Sequence, residues 1–435
     1  MPLSRRQFLL GAAGAAAAGT AGVVLSKSPW DSSSARSDAA PAAGTGAGAA
    51  GSPAPVASTG EGILVVVTLY GGNDGLNTVI PYQAGQYLGG RPDLGYKPEE
   101  VITLSDGLAL HPNLKGLKGL WDAGQLAVVR GVGYPNPNRS HFRSMDIWQS
   151  ASPENGVITG WLGRWLDRTG DDPMRAISVG NTLPRLLSGD RSAGSAVPTG
   201  SLALPGGAAV ASGFAALSRP TANGSGLANR VAQTGADLLA VNGRISELLA
   251  AQPADPAPPA GGTGLDGPDP TADTTAAGVL GTQLALVGRL IKAGSPTRAY
   301  SVSLGGFDTH ANEKDTHARL LGQLDAAVTG FFKQLGNDRR AGDVVLMTYS
   351  EFGRRVAANA SGGTDHGTAA PLFVAGPRVK GGFYGDEPSL TDLDQGDLRF
   401  TTDFRSVYAT MLGQVLGVDP TVSLAKGFGP LPLLY

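Results

Sequence analysis

Residues 63–74 read ILVVVTLYGGND, seven aliphatic or β-branched residues followed by a polar turn that contains two glycines. A run that is apolar at successive positions predicts a strand buried on both faces, as in the parallel sheet of an α/β protein. Ligands of such sheets bind beyond the carboxyl ends of the strands. The polar residues after Leu69 are therefore the first candidates for a functional site.

The same pattern recurs along the chain. Further apolar runs occupy residues 126–132, 176–179, 299–304, 344–349 and 371–375. Segments with helical periodicity alternate with them, at residues 114–121, 161–166, 227–248, 279–291, 320–335 and 404–416. This alternation predicts an α/β fold with a mostly parallel central sheet and helices on both faces.

The composition narrows the class of protein. The 435 residues include 65 Gly, 30 Pro and no Cys, with 34 basic residues against 36 acidic ones. The balanced charge gives no field that would attract nucleic acid, and no disulfide can form. Many of the glycines and prolines lie in residues 31–60, predicted to be a disordered tether, and in a predicted insertion of loops and helices at about 186–275. Residues 61–435 are the predicted α/β domain.

The first residues predict export. Arg5 and Arg6 precede Gln-Phe-Leu-Leu and an apolar stretch rich in Gly and Ala that continues to Leu25. This pattern resembles a twin-arginine (Tat) signal, so residues 1–30 are the predicted signal segment. The prediction implies an extracytoplasmic protein, secreted or associated with the cell envelope, with the Tat machinery as a partner. Contact with the membrane is expected only through an uncleaved signal.

Histidines and carboxylates concentrate at the ends of the predicted strands. The chain has five histidines, and three of them lie in these loops. Imidazole and carboxylate groups bind divalent metals, and neighbouring glycines let a loop close around an ion. Carboxylates and histidines after four or five strands are typical of a two-metal hydrolase. The predicted metal ligands are Asp74, Asp308, His310, Glu351, Asp365 and His366.

Individual residues also fit simpler roles. Asp74 suits a turn, and Ser140 suits the N-cap of the helix that follows it. Glu351 and Arg354 suit a local ion pair at a strand end. His317 lies in a helical pattern and suits a surface or core position better than a ligand, whereas His111 suits a structural hydrogen bond and a functional role equally well.

The ordered motifs resemble a bacterial family known only as a domain of unknown function, DUF1501. The resemblance extends from residue 63 to the C-terminus, and the family is similar to the alkaline phosphatase and sulfatase superfamily, whose members hold two divalent metals above a mixed sheet. The motifs that carry it are LYGGNDGLN (69–77), NRSHF (138–142), FDTH (307–310), SEFGR (350–354), GTDHG (363–367), APLFVAGP (370–377) and TDFR (402–405).

The resemblance implies a function and roles for individual residues. It implies one or two divalent ions (Zn, Mn, Mg or Ca) and a Ser140 nucleophile at the start of a helix, with an arginine binding the substrate oxyanion. The chain departs from the superfamily at Phe352, where a histidine is usual, and it lacks the cysteine or Ser-x-Pro-x-Arg segment of standard sulfatases. The catalytic candidates are Ser140, His141, Arg143 and Arg354, with Arg139 as a further oxyanion candidate.

The sequence therefore predicts an exported, metal-dependent hydrolase of phosphate or sulfate esters, acting on a small molecule or a polymer. The alternative is a non-catalytic binding or envelope protein on a degenerate hydrolase fold, because a fold by itself does not fix an activity.

Overall fold

The computed structural model describes residues 62–200, 207–221, 226–251 and 276–435. The predicted signal segment and tether lie outside the described residues, as do residues 252–275 of the predicted insertion. The described residues divide into two units, one of which is 213–236 and the other the remainder. In the smaller unit, the Thr221 N–H donates to Asn229 Oδ1 at 2.8 Å.

The larger unit contains most of the regular structure. The strands are β1 (Ile63–Leu69), β2 (Val79–Ile80), β3 (Ile102–Thr103), β4 (Ala109–Leu110), β5 (Leu126–Gly133), β6 (Ala176–Val179), β7 (Ser195–Val197), β8 (Ala299–Leu304), β9 (Val344–Tyr349), β10 (Arg354–Ala358), β11 (Thr364–His366), β12 (Ala370–Ala375), β13 (Gly382–Tyr384), β14 (Leu393–Asp394), β15 (Asp397–Leu398) and β16 (Thr402–Asp403). The α-helices of both units are α1 (Gly75–Thr78), α2 (Gly85–Gly90), α3 (Lys115–Asp122), α4 (His141–Ser150), α5 (Trp161–Thr169), α6 (Gly207–Leu217), α7 (Leu227–Ala250), α8 (Gly278–Lys292), α9 (Glu313–Leu335) and α10 (Phe404–Thr410).

A nine-stranded sheet organises the larger unit. The strand order is β13-β5-β12-β9-β1-β8-β6-β7, with β16 beside β5. Every strand runs in the same direction except β12, which is antiparallel to both β9 and β5. The short β10–β11 hairpin follows β9 in place of a crossover helix. The next strand, β12, therefore starts at the edge of the sheet where the carboxyl end of β9 lies, and it runs antiparallel to β9.

The core lies on both faces of this sheet. Alternate residues of β1 point to opposite faces: Val65 and Val67 pack with apolar side chains of α3, α8 and α9, whereas Leu64 and Val66 pack with those of α4, α5 and α10. All seven residues of β1 are buried. The two-sided burial explains why the central strands are apolar at successive positions.

The predicted fold class is confirmed. All six apolar runs form strands of the central sheet, and helices cover both faces. The structure adds β7, β13 and β16, which are two or three residues long and too short for a periodic pattern. The β7 strand pairs with β6, so part of the segment predicted as an insertion belongs to the central sheet. In the described ranges, no helix combines the length and apolarity needed to cross a membrane.

Candidate metal centre

Four side chains meet beyond the carboxyl edge of the sheet. Asp308 and His310 follow β8, His141 is the first residue of α4 after β5, and His366 ends β11. Their meeting depends on β12. Because β12 is antiparallel to its neighbours, it begins at this edge, and residues 364–369, which precede it, therefore lie there too. Among the described residues, ligand atoms of His141, Asp308 and His366 all lie within 4.8 Å of one another.

Two glycines permit this approach. Gly71 has φ 118°, and a Cβ there would lie 2.4 Å from the backbone nitrogen of Asp308. A Cβ at Gly363 would lie 2.3 Å from the carbonyl carbon of His310. Glycine is therefore required where the loop after β1 and the start of β11 pack against the Asp308–His310 backbone.

Each of the three imidazoles directs its Nε2 at Asp308. The Nε2 atoms of His310 and His366 lie 3.0 and 3.2 Å from Asp308 Oδ1, and that of His141 lies 3.4 Å from Oδ2. The Nε2 atoms of His310 and His366 are 2.9 Å apart. The side chains of Asp308 and His310 are 47% and 44% exposed, so the group is open to a ligand from solvent.

The other nitrogen of each ring faces an acceptor. His141 Nδ1 lies 2.7 Å from Glu351 Oε1, and His366 Nδ1 lies 2.8 Å from the carbonyl oxygen of Arg139. His310 Nδ1 is 3.5 Å from a carboxylate oxygen of Asp365. In a neutral imidazole, an Nδ1 that donates leaves Nε2 with a lone pair. Burial lowers the pKa of His366 and so favours this neutral form.

This arrangement fits a divalent cation. Imidazole lone pairs that face a carboxylate are repelled by it unless a cation or a proton lies between them. Tetrahedral zinc with arms of about 2.0–2.1 Å has ligand atoms about 3.3 Å apart, and the ligand atoms of His141, Asp308 and His366 lie within 4.8 Å of one another, close enough to share one ion. His141 Nε2 is buried and has no hydrogen-bond partner within the described part of the chain. Oxygen and imidazole donors suit Zn or Mn.

Glu351 orients His141. It is almost fully buried, and its Oε1 also accepts a hydrogen bond from the Gly71 N–H at 2.9 Å. An outer carboxylate that fixes the tautomer and orientation of a metal-binding histidine is a common feature of metal sites. The structure therefore places Glu351 behind His141, and Asp365 is similarly placed behind His310. This geometry argues against the predicted direct ligation by either carboxylate.

Arg354 fixes the loops around the centre. Its side chain is fully buried, and Nη2 contacts Asp308 Oδ1 at 2.7 Å. Its Nε donates to the Gly72 carbonyl at 2.7 Å and its Nη1 to the Thr364 carbonyl at 2.8 Å. Burial opposes ionisation of Asp308, but the hydrogen bonds from Arg354 and His366 and the nearby positive charge together outweigh it and lower the pKa of that carboxyl. These contacts favour positioning of Asp308 over the predicted oxyanion binding.

The remaining catalytic candidates lie near His141. Ser140 is exposed and occupies the N-cap of α4, and no side-chain cap hydrogen bond is made there. Arg143, in the first turn of α4, donates to the Pro153 carbonyl. The guanidinium of Arg139 pairs with the buried Asp397. Ser140 remains the predicted nucleophile, and Arg143 is the least constrained of the three predicted oxyanion-binding arginines.

Asp74 lies in a different, buried cluster. Both carboxylate oxygens accept from Arg91, and the two side chains are fully buried. Glu313 and His317 complete the cluster. Glu313 Oε2 accepts from the Thr364 hydroxyl at 2.6 Å, and His317 Nε2 lies 2.9 Å from Asn73 Oδ1. The predicted role of Asp74 as a metal ligand is therefore replaced by an internal ion pair.

The two other histidines have structural surroundings. His111 is buried, with its Nε2 2.8 Å from the Tyr96 hydroxyl and its Nδ1 accepting from the Asn113 N–H at 3.0 Å. Burial lowers the pKa of His111 to about 3 and that of His317 to about 4. Both rings are therefore neutral at physiological pH. The buried position of His317 agrees with the prediction that it is not a ligand, and the structure gives His111 the structural one of its two predicted alternatives.

Sequence reasoning missed Arg91 and Glu313. Arg91 follows two glycines in a segment with no motif, and Glu313 reads as an ordinary first-turn residue of α9. Neither position carries a local signal of burial. An acidic residue in the first turn is normally a solvated partner of the helix dipole.

Glu313→Gln is expected to change how stability depends on pH. Burial and the charge of Asp74 raise the pKa of Glu313 from 4.5 to about 9. Between these values the folded protein retains a proton that the unfolded chain has lost, so the free energy of unfolding falls as pH rises, by up to about 1.4 kcal/mol per pH unit. Glutamine does not titrate, and the variant should lose this slope in urea denaturation at about pH 6 and about pH 8. Equal slopes in both proteins would contradict the assignment.

Part of the chain matches a known family. The model of the family described as "Protein of unknown function (DUF1501)" matches residues 225–430 and confirms the predicted resemblance over that range. The match includes six of the predicted site residues, namely Asp308, His310, Glu351, Arg354, Asp365 and His366. Asp74, Ser140 and His141 precede it. No curated protein sequence matches the chain.

Solved structures of the alkaline phosphatase and sulfatase superfamily are similar to the chain at low identity. A protein in the alkaline phosphatase superfamily from Vibrio parahaemolyticus is 11% identical, with 85% of this chain and 70% of that chain covered and a TM-score of 0.38. The lipoteichoic acid synthase LtaP from Listeria monocytogenes is 10% identical, with 86% and 76% covered and a TM-score of 0.40. A 2-O GAG sulfatase is 12% identical, with 74% and 65% covered and a TM-score of 0.28.

Proposed function

We propose that this protein is an exported, metal-dependent hydrolase of phosphate or sulfate esters. The observation that carries the proposal is the convergence of three imidazole Nε2 atoms on Asp308, while each Nδ1 faces an acceptor. A satisfied outer nitrogen and an inward lone pair are what a metal-binding histidine needs. His141, Asp308, His310 and His366 are the proposed ligands of one cation.

The chemistry assigned to the site follows from its residues. A bound divalent cation would polarise a phosphoryl or sulfuryl oxygen and lower the pKa of a hydroxyl or water nucleophile. Ser140 is the proposed nucleophile because it is exposed and adjoins His141. Arg143 is proposed to bind a substrate oxygen by charge-assisted hydrogen bonds. Arg354, Glu351 and the Arg139 carbonyl hold the ligands in place.

The proposed location rests on the first 30 residues. Their resemblance to a Tat signal supports export of the folded protein, which suits a metal site assembled before translocation. The proposed substrate is a small-molecule or polymer ester encountered outside the cytoplasm. Conversion of Arg5 and Arg6 to Lys, followed by fractionation of the cells, would test this part of the proposal.

Metal analysis of the purified protein tests the function. We expect about one Zn or Mn per chain, loss of esterase activity after chelation, and recovery on adding the metal back. The substrate panel contains phosphate monoesters, phosphate diesters, sulfate esters and phosphonates. Ser140→Ala distinguishes two nucleophiles. Esterase activity would be lost in this variant if the serine attacks the ester and kept if a water molecule does.

The outcomes separate the candidate functions. Metal with turnover of at least one ester class supports the hydrolase. Bound metal without turnover of any ester would favour the non-catalytic alternative. Absence of stoichiometric metal would contradict the metal centre itself.

A further inference from the structure

A pocket of about 310 Å³ lies beside the metal centre. We call it the aromatic pocket, and its walls include Tyr134, Pro135, Trp148, Phe352, Leu398 and Phe400. A volume of this size is within the range of small-molecule sites, and a cavity of about half that volume accommodates benzene. The pocket is therefore large enough for a substituted ring or two fused rings.

Phe352 joins the pocket to the metal centre. Its ring centroid lies 4.9 Å from that of His141 and 4.7 Å from that of His366, and the same side chain forms part of the pocket wall. Another part of the wall, residues 133–137, leads directly to Ser140 and His141. An occupant of the pocket would therefore lie within the length of one small substrate from the proposed ligands.

The lining favours an uncharged aromatic group. Aromatic rings attract one another through stacked or edge-to-face contacts, which add to the free energy of burial. Trp148 is held by stacking on Phe404 and Tyr349, with centroid distances of 4.5 and 5.3 Å. Its buried indole N–H has no hydrogen-bond partner among the described residues.

We propose that the aromatic pocket binds the ring of an aryl phosphate or aryl sulfate ester, next to the metal centre. The proposal rests on the hydrolase function and narrows it to esters of aromatic alcohols. The charged residues of the lining, Asp394 and Arg399, are exposed, and Arg399 is paired with Asp392 at 3.1 Å. The buried part of the pocket is therefore lined by uncharged residues, which suit an apolar ring.

Binding of 1-naphthol to the metal-free protein tests the pocket without hydrolysis. The readout is quenching of tryptophan fluorescence, because Trp148 lines the pocket. Phe400 is 37% exposed, so its replacement leaves the core intact. We expect Phe400→Ala to weaken binding about tenfold by removing one aromatic wall, and Phe400→Trp to weaken it by filling the space. Phe142→Ala is the matched control, since Phe142 is 89% exposed and is not part of the pocket wall.

A second measurement compares esters in the metal-loaded protein. We expect kcat/KM for naphthyl phosphate or sulfate to exceed that of the methyl ester, and Phe400→Ala to reduce this ratio about tenfold. Naphthol binding that is absent, or equal in wild type and both Phe400 variants, would overturn the pocket. Pocket-dependent binding without turnover of any ester would instead refute the hydrolase function on which the substrate class rests.

Discussion

Asp308→Asn is expected to abolish metal binding at the proposed site and to lower kcat/KM for the best ester by about a thousandfold. All three imidazole Nε2 atoms lie within 3.4 Å of this carboxylate, so it supplies the negative charge that the histidines cannot. Asparagine preserves the shape of the side chain and removes that charge. Metal content and esterase activity should therefore fall together, while thermal unfolding still shows a folded protein.

Two further carboxylates provide graded controls. Glu351→Gln removes the charge of the carboxylate that faces His141 but keeps an oxygen for the Gly71 N–H. It should weaken metal affinity by about 10- to 100-fold, the range found for outer-sphere partners. Asp122→Asn alters an exposed pair with Lys118 on α3 and should leave both readouts unchanged. The ligand assignment would be abandoned if Asp308→Asn retained its metal at wild-type affinity.

Arg91→Met is expected to lower the free energy of unfolding by about 3–5 kcal/mol, because it leaves a buried carboxylate without its counter-charge. Burial opposes the charge on Asp74, but Arg91 outweighs it and lowers the pKa of Asp74 to about 2. Arg91 also donates to the backbone carbonyls of Val356 at 2.9 Å and Arg355 at 2.7 Å. Its replacement therefore also removes the hydrogen bonds that these two carbonyls of β10 accept from it. Urea denaturation at neutral pH measures the difference.

The same variant should alter acid sensitivity. An aspartate with a lowered pKa contributes stability that is present above its unfolded value of 3.8 and lost as pH falls towards about 2. Without Arg91, this contribution disappears, and the loss of stability over that interval should be smaller. Lys118→Ala, which breaks the exposed Lys118–Asp122 pair, should cost less than about 1 kcal/mol. A cost of similar size for Arg91→Met would show that the buried pair has no special role.

Much of the fold could be predicted because its signal is local. The β1 strand is apolar at successive positions since both faces of the sheet are covered, and the strands β8 and β9 follow the same rule. The amphipathic periodicity of α9 is likewise set by residues within the helix. Short edge strands such as β7 were missed because a three-residue pairing depends on its neighbour, β6, and leaves no periodic pattern.

The candidate site could be predicted only in part. Asp308, His310 and His366 are recognisable in the sequence because they are polar residues near glycines. Asp308 and His310 follow one apolar run, and His366 precedes another. The site also includes His141, which begins the helix after β5, a strand that β12 separates from β9 in the sheet. The loops that follow β5 and β9 are brought together by β12, which lies between these strands and is antiparallel to both. This path of the chain cannot be predicted from the sequence of any single segment.

The roles of the carboxylates show where sequence information ends. Asp74 and Asp308 both follow buried strands, yet one pairs internally with Arg91 and the other faces the imidazoles from a position open to solvent. The sequence by itself determined the strands, the faces they bury and the edge where chemistry would lie, because hydrophobic periodicity is carried by neighbouring residues. Only the tertiary structure decided which carboxylate meets an arginine, which meets histidines and which stands behind a ligand, since charges interact through distances in space.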